Sequence, residues 1–223
     1  MISQPEVAEL VVSLATGLAA GFLVSTPIGP INITIINDGA RHGFLRAWLV
    51  GLGAMSMDVI YCSIGLAGFS QLFSSRWLNA AMELVSFLLL LYLGWKYLRA
   101  KAIAVTSKSA DAVEHRLHPH TAYMIGFVRV LGNPAVLVLW ITLSATFVSH
   151  EWVDPNLLSK ALCVVGVGFG ATTWFTLLSY GVSRGHGRFS PRTLLGMSHV
   201  SGACLLTGAL IIAVRLIRLL ARH

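Results

Sequence analysis

Charged residues are scarce in this sequence, and their scarcity excludes an ordinary soluble fold. Only 11% of the 223 residues are Asp, Glu, Lys or Arg, whereas a soluble globular domain carries about 25%. Hydrophobic residues make up 56% of the chain. The formal net charge of +7 does not indicate a nucleic-acid partner, because the basic residues lie between long apolar runs. The composition therefore predicts an integral membrane protein in contact with a lipid bilayer.

Cysteine is also rare, and its positions exclude two common roles. Cys62, Cys163 and Cys204 each fall inside an apolar run, and no CxxC pair occurs. This pattern predicts neither a disulfide framework nor a zinc site. The histidines of segment 114–120 are irregularly spaced beside a basic residue, so a solvated loop is preferred to a metal site. The sequence also lacks a glycine-rich phosphate loop and a nucleophile elbow. We therefore expect no metal, no cofactor and no catalytic residue, and a protein that is not an enzyme.

Six apolar runs are long enough to provide the roughly 20 residues that a helix needs to cross a bilayer. Short polar joints separate most of them, and one longer joint, at about residues 99–120, is predicted to be a flexible loop. The predicted fold class is an all-α integral membrane protein with six transmembrane helices in a single domain, residues 1–223. The expected spans are residues 8–36, 44–69, 77–98, 121–149, 157–183 and 193–215.

Lysine and arginine are unevenly distributed among the joints. The joints between spans 1 and 2, 3 and 4, and 5 and 6 hold ten of them, whereas the opposite side holds five. Because basic joints favour the cytoplasm, these three joints are predicted to be cytoplasmic and both termini to lie outside. The basic C-terminal tail, RLIRLLARH, favours the opposite orientation.

Proline interrupts the first and fourth spans, where a continuous helix would be expected. The first span contains STPIGPINITIIN (25–37), and the fourth contains LGNPAVLVLW (131–140). Proline inside a helix removes an N–H donor and clashes with the carbonyl four residues back. A polar residue followed by proline is also a preferred helix start. We therefore predict that helices 1 and 4 are broken, with restarts at Asn133-Pro134 and at either Thr26-Pro27 or Gly29-Pro30.

The two broken spans occupy matching places in the two halves of the chain. Gly21-Phe22 precedes the first break as Gly126-Phe127 precedes the second, and small residues open the second and fifth spans as GLGAMSMD and GVGFGATT. Each half resembles one three-span unit, and an odd number of spans forces the two units into opposite orientations. A 3+3 inverted repeat with interrupted helices at matching positions is typical of secondary transporters.

A helix that restarts within the membrane offers free N–H groups and the positive end of its dipole to an anion. The carbonyls freed by each proline, such as that of Val130, would suit a cation. The two breaks are therefore predicted to bind a small zwitterionic or cationic solute, although an ordinary proline kink would explain either break alone. The candidate substrate-binding residues are Thr26, Pro27, Gly29, Pro30, Asn32, Asn133 and Pro134.

Four of the ionisable side chains within the predicted spans are functional candidates. Asp58 lies near the middle of the second span, where a carboxylate is costly and is a functional candidate by default. It could carry protons or form a structural ion pair with Arg129, which could instead extend towards the cytoplasm. Glu83 lies near the end of its span, and His199 is a lone helical histidine. These two are weaker candidates for proton or ion coupling.

Three segments together resemble one known family of membrane transporters. PIGPINITIINDGARHGFLRAWLVGLGAMSMDVIY (27–61) resembles the signature region of the LysE/RhtB amino-acid exporters, with a Pro-Gly-Pro-type break, a glycine-rich second span and an Asp before an aromatic residue. LYLGWKYLRA (91–100) resembles the end of the family's third span. GFVRVLGNPAVLVLWITLSATFV (126–148) resembles its Asn-Pro signature.

The resemblance implies export of amino acids or related small solutes, coupled to the proton gradient across a bacterial cytoplasmic (inner) membrane. Ile28 and Ala135 depart from the family pattern, which more often has Pro-Gly-Pro in the first break and a lysine after Asn-Pro. Arg129 and Glu83 are charges that the pattern does not require, so a cationic cargo stays open. The positions that match the family's motifs are Pro27, Gly29, Pro30, Asp58, Asn133 and Pro134.

Three alternatives remain open from the sequence. An inorganic-cation exporter of the same superfamily would need more carboxylates, histidines or thiols near the breaks than Asp58 supplies. A membrane enzyme would need a nucleophile and base, or a metal set, at one depth. A non-transporting membrane partner protein would need neither paired breaks nor a carboxylate within a span. The small-residue faces of the spans are compatible with a homodimer.

Overall fold

The computed structural model describes residues 4–27, 29–68 and 121–184, with scattered residues between 84 and 99 and between 195 and 214. Within these residues the secondary structure is helical and contains no strand, which confirms the predicted all-α class. More than half of the third predicted span, about half of the sixth and nearly all of the 99–120 loop lie outside the described residues. The helices are α1 (Gln4–Ser25), α2 (Pro30–His42), α3 (Phe44–Gly68), α4 (Ala122–Leu131), α5 (Pro134–Ser149) and α6 (Leu157–Arg184).

Three of the helices are long and apolar enough to cross a membrane by themselves. They are α1 from Glu6 onwards, α3 with 25 residues and α6 with 28 residues. The pair α4 and α5 meets the same criteria as one unit, although its two parts are bent by 71°. The described part of the chain thus contains three candidate spans, or four if the bent pair counts as one.

The outer surface of these helices is apolar. Val11 on α1 is 58% exposed, and Phe169 and Leu177 on α6 are 62% and 57% exposed. Large apolar side chains exposed in this density are unusual for a soluble monomer. They suit contact with lipid, in which the helices satisfy their own backbone hydrogen bonds.

A tight joint connects α2 to α3. Gly43 alone separates the two helices, and its φ of +82° lies in the region that favours glycine. The joint is polar, as expected for a connection at a membrane surface. The Asp38 carboxylate lies 3.3 Å from Nε of Arg46 and 3.7 Å from Nδ1 of His42.

Glycines bring α1 against α6 and α3 against α4. At each of these positions, a Cβ atom would overlap a backbone carbonyl of the facing helix. Small residues allow membrane helices to approach this closely, and the gain is in packing contacts along the backbones. The glycines are Gly17, Gly21, Gly166 and Gly170 at the first contact, and Gly53 and Gly126 at the second.

The buried core lies along the inner face of α3. Val50, Met57 and Cys62 on this face are at most 2% exposed, and they belong to one cluster with Trp140 of α5 and Val167 of α6. The cluster also packs against residues that flank both helix breaks. It therefore places α3 as the central element on which the site is built.

Candidate functional site

The first helix break lies between Ser25 and Pro30. The Thr26 amide and hydroxyl both donate to the carbonyl of Phe22, at 3.1 and 2.7 Å, so Thr26 continues the bonding of α1. Helix α2 restarts at Pro30 behind Gly29, which has extended backbone angles and provides no side-chain cap. Of the two restarts predicted, Gly29-Pro30 is confirmed and Thr26-Pro27 is wrong. The reason is that the Thr26 hydroxyl acts as a donor towards the preceding turn and does not cap the following one.

Asn32 joins the two sides of this break. Its side-chain amide donates to the carbonyl of Ser25 at 2.9 Å and to that of Pro27 at 2.7 Å. Its carbonyl oxygen accepts from Nε1 of Trp174 at 3.3 Å. Both amide hydrogens and the oxygen of this buried side chain are therefore used to hold the break. The Trp174 ring also meets Phe22 edge to face, with centroids 5.6 Å apart.

Replacing Asn32 with Leu should destabilise the protein by about 2 kcal/mol or more. The substitution leaves the carbonyls of Ser25 and Pro27 without their recorded donor, and an unsatisfied buried carbonyl costs about 1–3 kcal/mol. The midpoint of thermal unfolding in detergent measures this change. Asn37→Leu is the matched control, since Asn37 lies on α2 but is exposed. Equal stability of the two variants would contradict the role given to Asn32.

The second break is capped as the sequence predicts. The Asn133 side chain accepts from the amide of Ala135 at 3.3 Å, and Pro134 occupies the first turn of α5. The carbonyl of Val130, which we expected to be freed by Pro134, accepts instead from the amide of Asn133 at 2.9 Å. That expectation is wrong, because the chain turns sharply enough at the break to satisfy this carbonyl locally.

A cavity of about 130 Å³ lies between the two breaks. It brings together residues that are far apart in the sequence and that belong to both breaks and to α3. Thr26 and Pro134 adjoin the cavity-lining residues without lining the cavity themselves. Six of the predicted site residues line it, namely Pro27, Gly29, Pro30, Asn32, Asp58 and Asn133.

The Asp58 carboxylate is the charged group of this cavity. Its residue is only 5% exposed, and Oδ1 accepts a hydrogen bond of 2.8 Å from Nε1 of Trp140. Trp140 is fully buried. Nothing local in the sequence connects Trp140 of α5 with Asp58 of α3, so this contact could not be predicted. The indole N–H holds one oxygen of the carboxylate in place.

Arg129 connects α4 to α2. Its guanidinium donates to the hydroxyl of Thr34, which in turn donates to the carbonyl of Pro30 at 2.8 Å. Asp58 accepts a hydrogen bond from Trp140, and one of the contacts of Arg129 is its hydrogen bond to Thr34. Arg129 is therefore placed beside the first residue of the restarted helix, next to the cavity wall.

The remaining candidates lie away from the cavity. Glu83 and Ile28 fall outside the described residues. His199 is described in a helical segment and is partly buried, but it does not line the cavity. Within the described part of the chain, no three His, Cys, Asp or Glu side chains are grouped closely enough to hold a metal ion.

Ser25 is a cavity residue that the sequence did not indicate. It lines the cavity and is 7% exposed, and its hydroxyl oxygen is buried without a hydrogen-bond partner among the described residues. Its position could have indicated it, since Ser25 is the last residue of α1 before the break. A serine inside an apolar helix, however, usually donates a hydrogen bond to a backbone carbonyl of its own helix, so it does not by itself indicate a binding site.

Helices that are long and apolar enough to cross a bilayer, the bent pair included, make up most of the described part of the chain, which identifies a helical integral membrane protein. The chain belongs to the LysE type translocator family, whose model matches residues 22–218. No solved structure matches the chain.

Three bacterial relatives illustrate the similarity. YcgF of Bacillus subtilis, which is described provisionally as an amino acid efflux protein, is 25% identical over 85% of this chain and 89% of its own. The arginine exporter protein ArgO of Escherichia coli K12 is 27% identical over 73% of this chain and 90% of its own. The chemotactic transduction protein ChpE of Pseudomonas aeruginosa is 26% identical over 72% of this chain and 79% of its own.

Proposed function

We propose that the protein is a secondary active exporter of amino acids, coupled to protons and located in a bacterial cytoplasmic membrane. Family membership and the relatives named for amino acid efflux and arginine export support this function. The observation that carries the proposal is the cavity, because it combines a buried carboxylate with the starts of two helices.

The restart of α2 is the better anion site of the two. At α5 the Asn133 side chain already occupies the amide of Ala135, whereas Gly29 offers no side-chain cap to α2. The first-turn amides and the positive dipole end of α2 are therefore left to attract a carboxylate. The Asp58 carboxylate is suited to bind the ammonium group of a substrate. An α-amino acid carries both groups, so the cavity complements both of its charges.

Asp58 also supplies a mechanism for coupling. A single buried carboxylate can hold either the substrate ammonium or a proton, because one positive charge satisfies it in either case. Release of the substrate on one side would then be followed by protonation, and deprotonation on the other side would admit the next substrate. Export of an amino acid would therefore accompany entry of protons.

The helix contacts support an inverted repeat. Gly21 of α1 lies against the carbonyl of Val167 in α6, as Gly126 of α4 lies against the carbonyl of Val50 in α3. A second glycine takes part in each contact. Gly53 of α3 lies against the carbonyl of Tyr123 and the amide of Phe127, and Gly170 of α6 lies against the carbonyl of Leu18 and the amide of Phe22. Each phenylalanine precedes a helix break.

The cavity fits the same symmetry. Asp58 follows Gly53 at the same interval as Phe175 follows Gly170, and both Asp58 and Phe175 line the cavity. Sites at the interface of inverted repeats are typical of transporters that work by alternating access. We propose that the two glycine-packed pairs, α1 with α6 and α3 with α4, move as units about this cavity. The joint at Gly43 would face the cytoplasm.

Purified protein in lipid vesicles tests the proposed function. Vesicles loaded with a mixture of labelled amino acids should release one or more of them, and release should accelerate when the outside is made more acidic. Acid outside drives protons inwards, and the proposed exchange converts that flow into substrate efflux. Protein-free vesicles are the control. Absence of flux for every amino acid, with folded protein in the membrane, would refute the proposal.

A further inference from the structure

The charge of the cavity limits the substrates that it can accept. In the described part of the chain, Asp58 is the one ionisable side chain among the lining residues. Most of the remaining lining is apolar, including Ala54, Val136, Leu139 and Phe175. If the ammonium group of an amino acid pairs with Asp58, the lining offers no second carboxylate to a cationic side chain.

We propose that the substrate is a zwitterionic amino acid with a short aliphatic side chain, of the size of alanine to valine, and that arginine is excluded. This inference rests on the proposed function and specifies the cargo of the same cavity. The ammonium group pairs with Asp58, the carboxylate lies at the restart of α2, and the side chain contacts the apolar wall.

The size of the cavity agrees with this substrate class. Its volume is about 130 Å³, and an apolar protein cavity of about 150 Å³ holds a benzene molecule. Alanine and valine fit within a volume of this size. Arginine would place its guanidinium against an apolar wall, and a buried charge without a partner is strongly unfavourable.

Ser25 adds a second indication of a polar ligand. Its hydroxyl oxygen is buried and lacks a partner among the described residues, although its residue lines the cavity. A buried hydroxyl is unfavourable without a hydrogen bond. The carboxylate of a bound amino acid could supply that bond, since Asn32 fixes the backbone of Ser25 beside the restart of α2.

Competition in reconstituted vesicles measures the selectivity. Exchange of labelled valine should be inhibited by unlabelled alanine and valine, and arginine should compete roughly 100-fold more weakly or not at all, because its second charge is unpaired. Arginine competing as strongly as valine would overturn this inference while leaving amino acid export intact. Absence of exchange with any amino acid would instead refute the proposed function.

A second carboxylate should change the selectivity in a defined direction. Val136 lines the cavity in the first turn of α5, where an acidic residue is compatible with the helix dipole. We expect Val136→Asp to strengthen competition by arginine by about tenfold or more. Val136→Asn has nearly the same shape without the charge, and it should leave the weak competition by arginine unchanged. Equal behaviour of the two variants would contradict the charge argument, and the wild-type competition series decides the inference if either variant fails to fold.

Discussion

Replacing Asp58 with Asn should lower proton-driven efflux by roughly 100-fold or more. Loss of one partner from a buried charge pair costs about 2–5 kcal/mol, and each 1.4 kcal/mol is a factor of ten. Asparagine keeps an oxygen that can accept the hydrogen bond from Trp140, so the contact between α3 and α5 can survive. The variant therefore removes the charge and the titratable group while preserving the packing around them. The measurement is initial efflux from vesicles with the outside more acidic.

Asp38→Asn is the matched control for this experiment. Asp38 is also a carboxylate within the first half of the chain, but its partners are Arg46 and His42 at the joint between α2 and α3. Because ion pairs with exposed partners such as these contribute little to stability, this variant should transport within about twofold of the wild type. Equal transport by the Asp58 and Asp38 variants would remove Asp58 from the mechanism.

Replacing Gly170 with Ala should destabilise the protein by at least about 3 kcal/mol. Overpacking in a core costs about 1–3 kcal/mol and sometimes more. Here the obstacle is backbone, since the new Cβ would overlap the Leu18 carbonyl and lie 2.7 Å from the Phe22 amide nitrogen. Helices α1 and α6 would have to separate. A loss of this size corresponds to a fall of roughly 6–12 °C in the midpoint of thermal unfolding.

Gly168 provides a control on the same helix. A Cβ at this position would lie 3.4 Å from Cγ2 of Val59 and 3.8 Å from Sδ of Met55, which is ordinary contact. Alanine is also a better helix former than glycine by about 1 kcal/mol. Gly168→Ala should therefore unfold at the wild-type temperature or slightly above it. A similar loss of stability in both variants would show that the close approach of α1 and α6 is not the cause.

Local signals in the sequence were enough to predict the helix breaks. Asn133 followed by Pro134 indicated a cap and a first-turn proline, and the structure has both. At the first break two restarts were consistent with the pattern, and no local signal distinguished Thr26-Pro27 from Gly29-Pro30. The Thr26 hydroxyl donates back to the carbonyl of Phe22 and so does not cap a new helix, and Asn32 then satisfies the carbonyls of Ser25 and Pro27.

The partners of the site residues could not be predicted, because they come from distant parts of the chain. The Asp58–Trp140 hydrogen bond joins residues that are 82 positions apart, and the Asn32–Trp174 bond joins residues 142 apart. Helical periodicity is a local signal and contains no information on which helices meet. The sequence offered Arg129 as a partner for Asp58 on charge alone, and nothing in it indicated the hydrogen bond that the Arg129 guanidinium donates to Thr34.

Proton release on substrate binding tests the central claim most directly, namely that proton and substrate share Asp58. Calorimetric titration of the purified protein with valine, repeated in buffers of different ionisation enthalpy across a pH series, measures the protons exchanged. We expect binding to release protons from the wild type at the lower pH values and none from Asp58→Asn. Binding of valine without proton release at any pH, in a protein that still shows proton-driven efflux, would contradict the account.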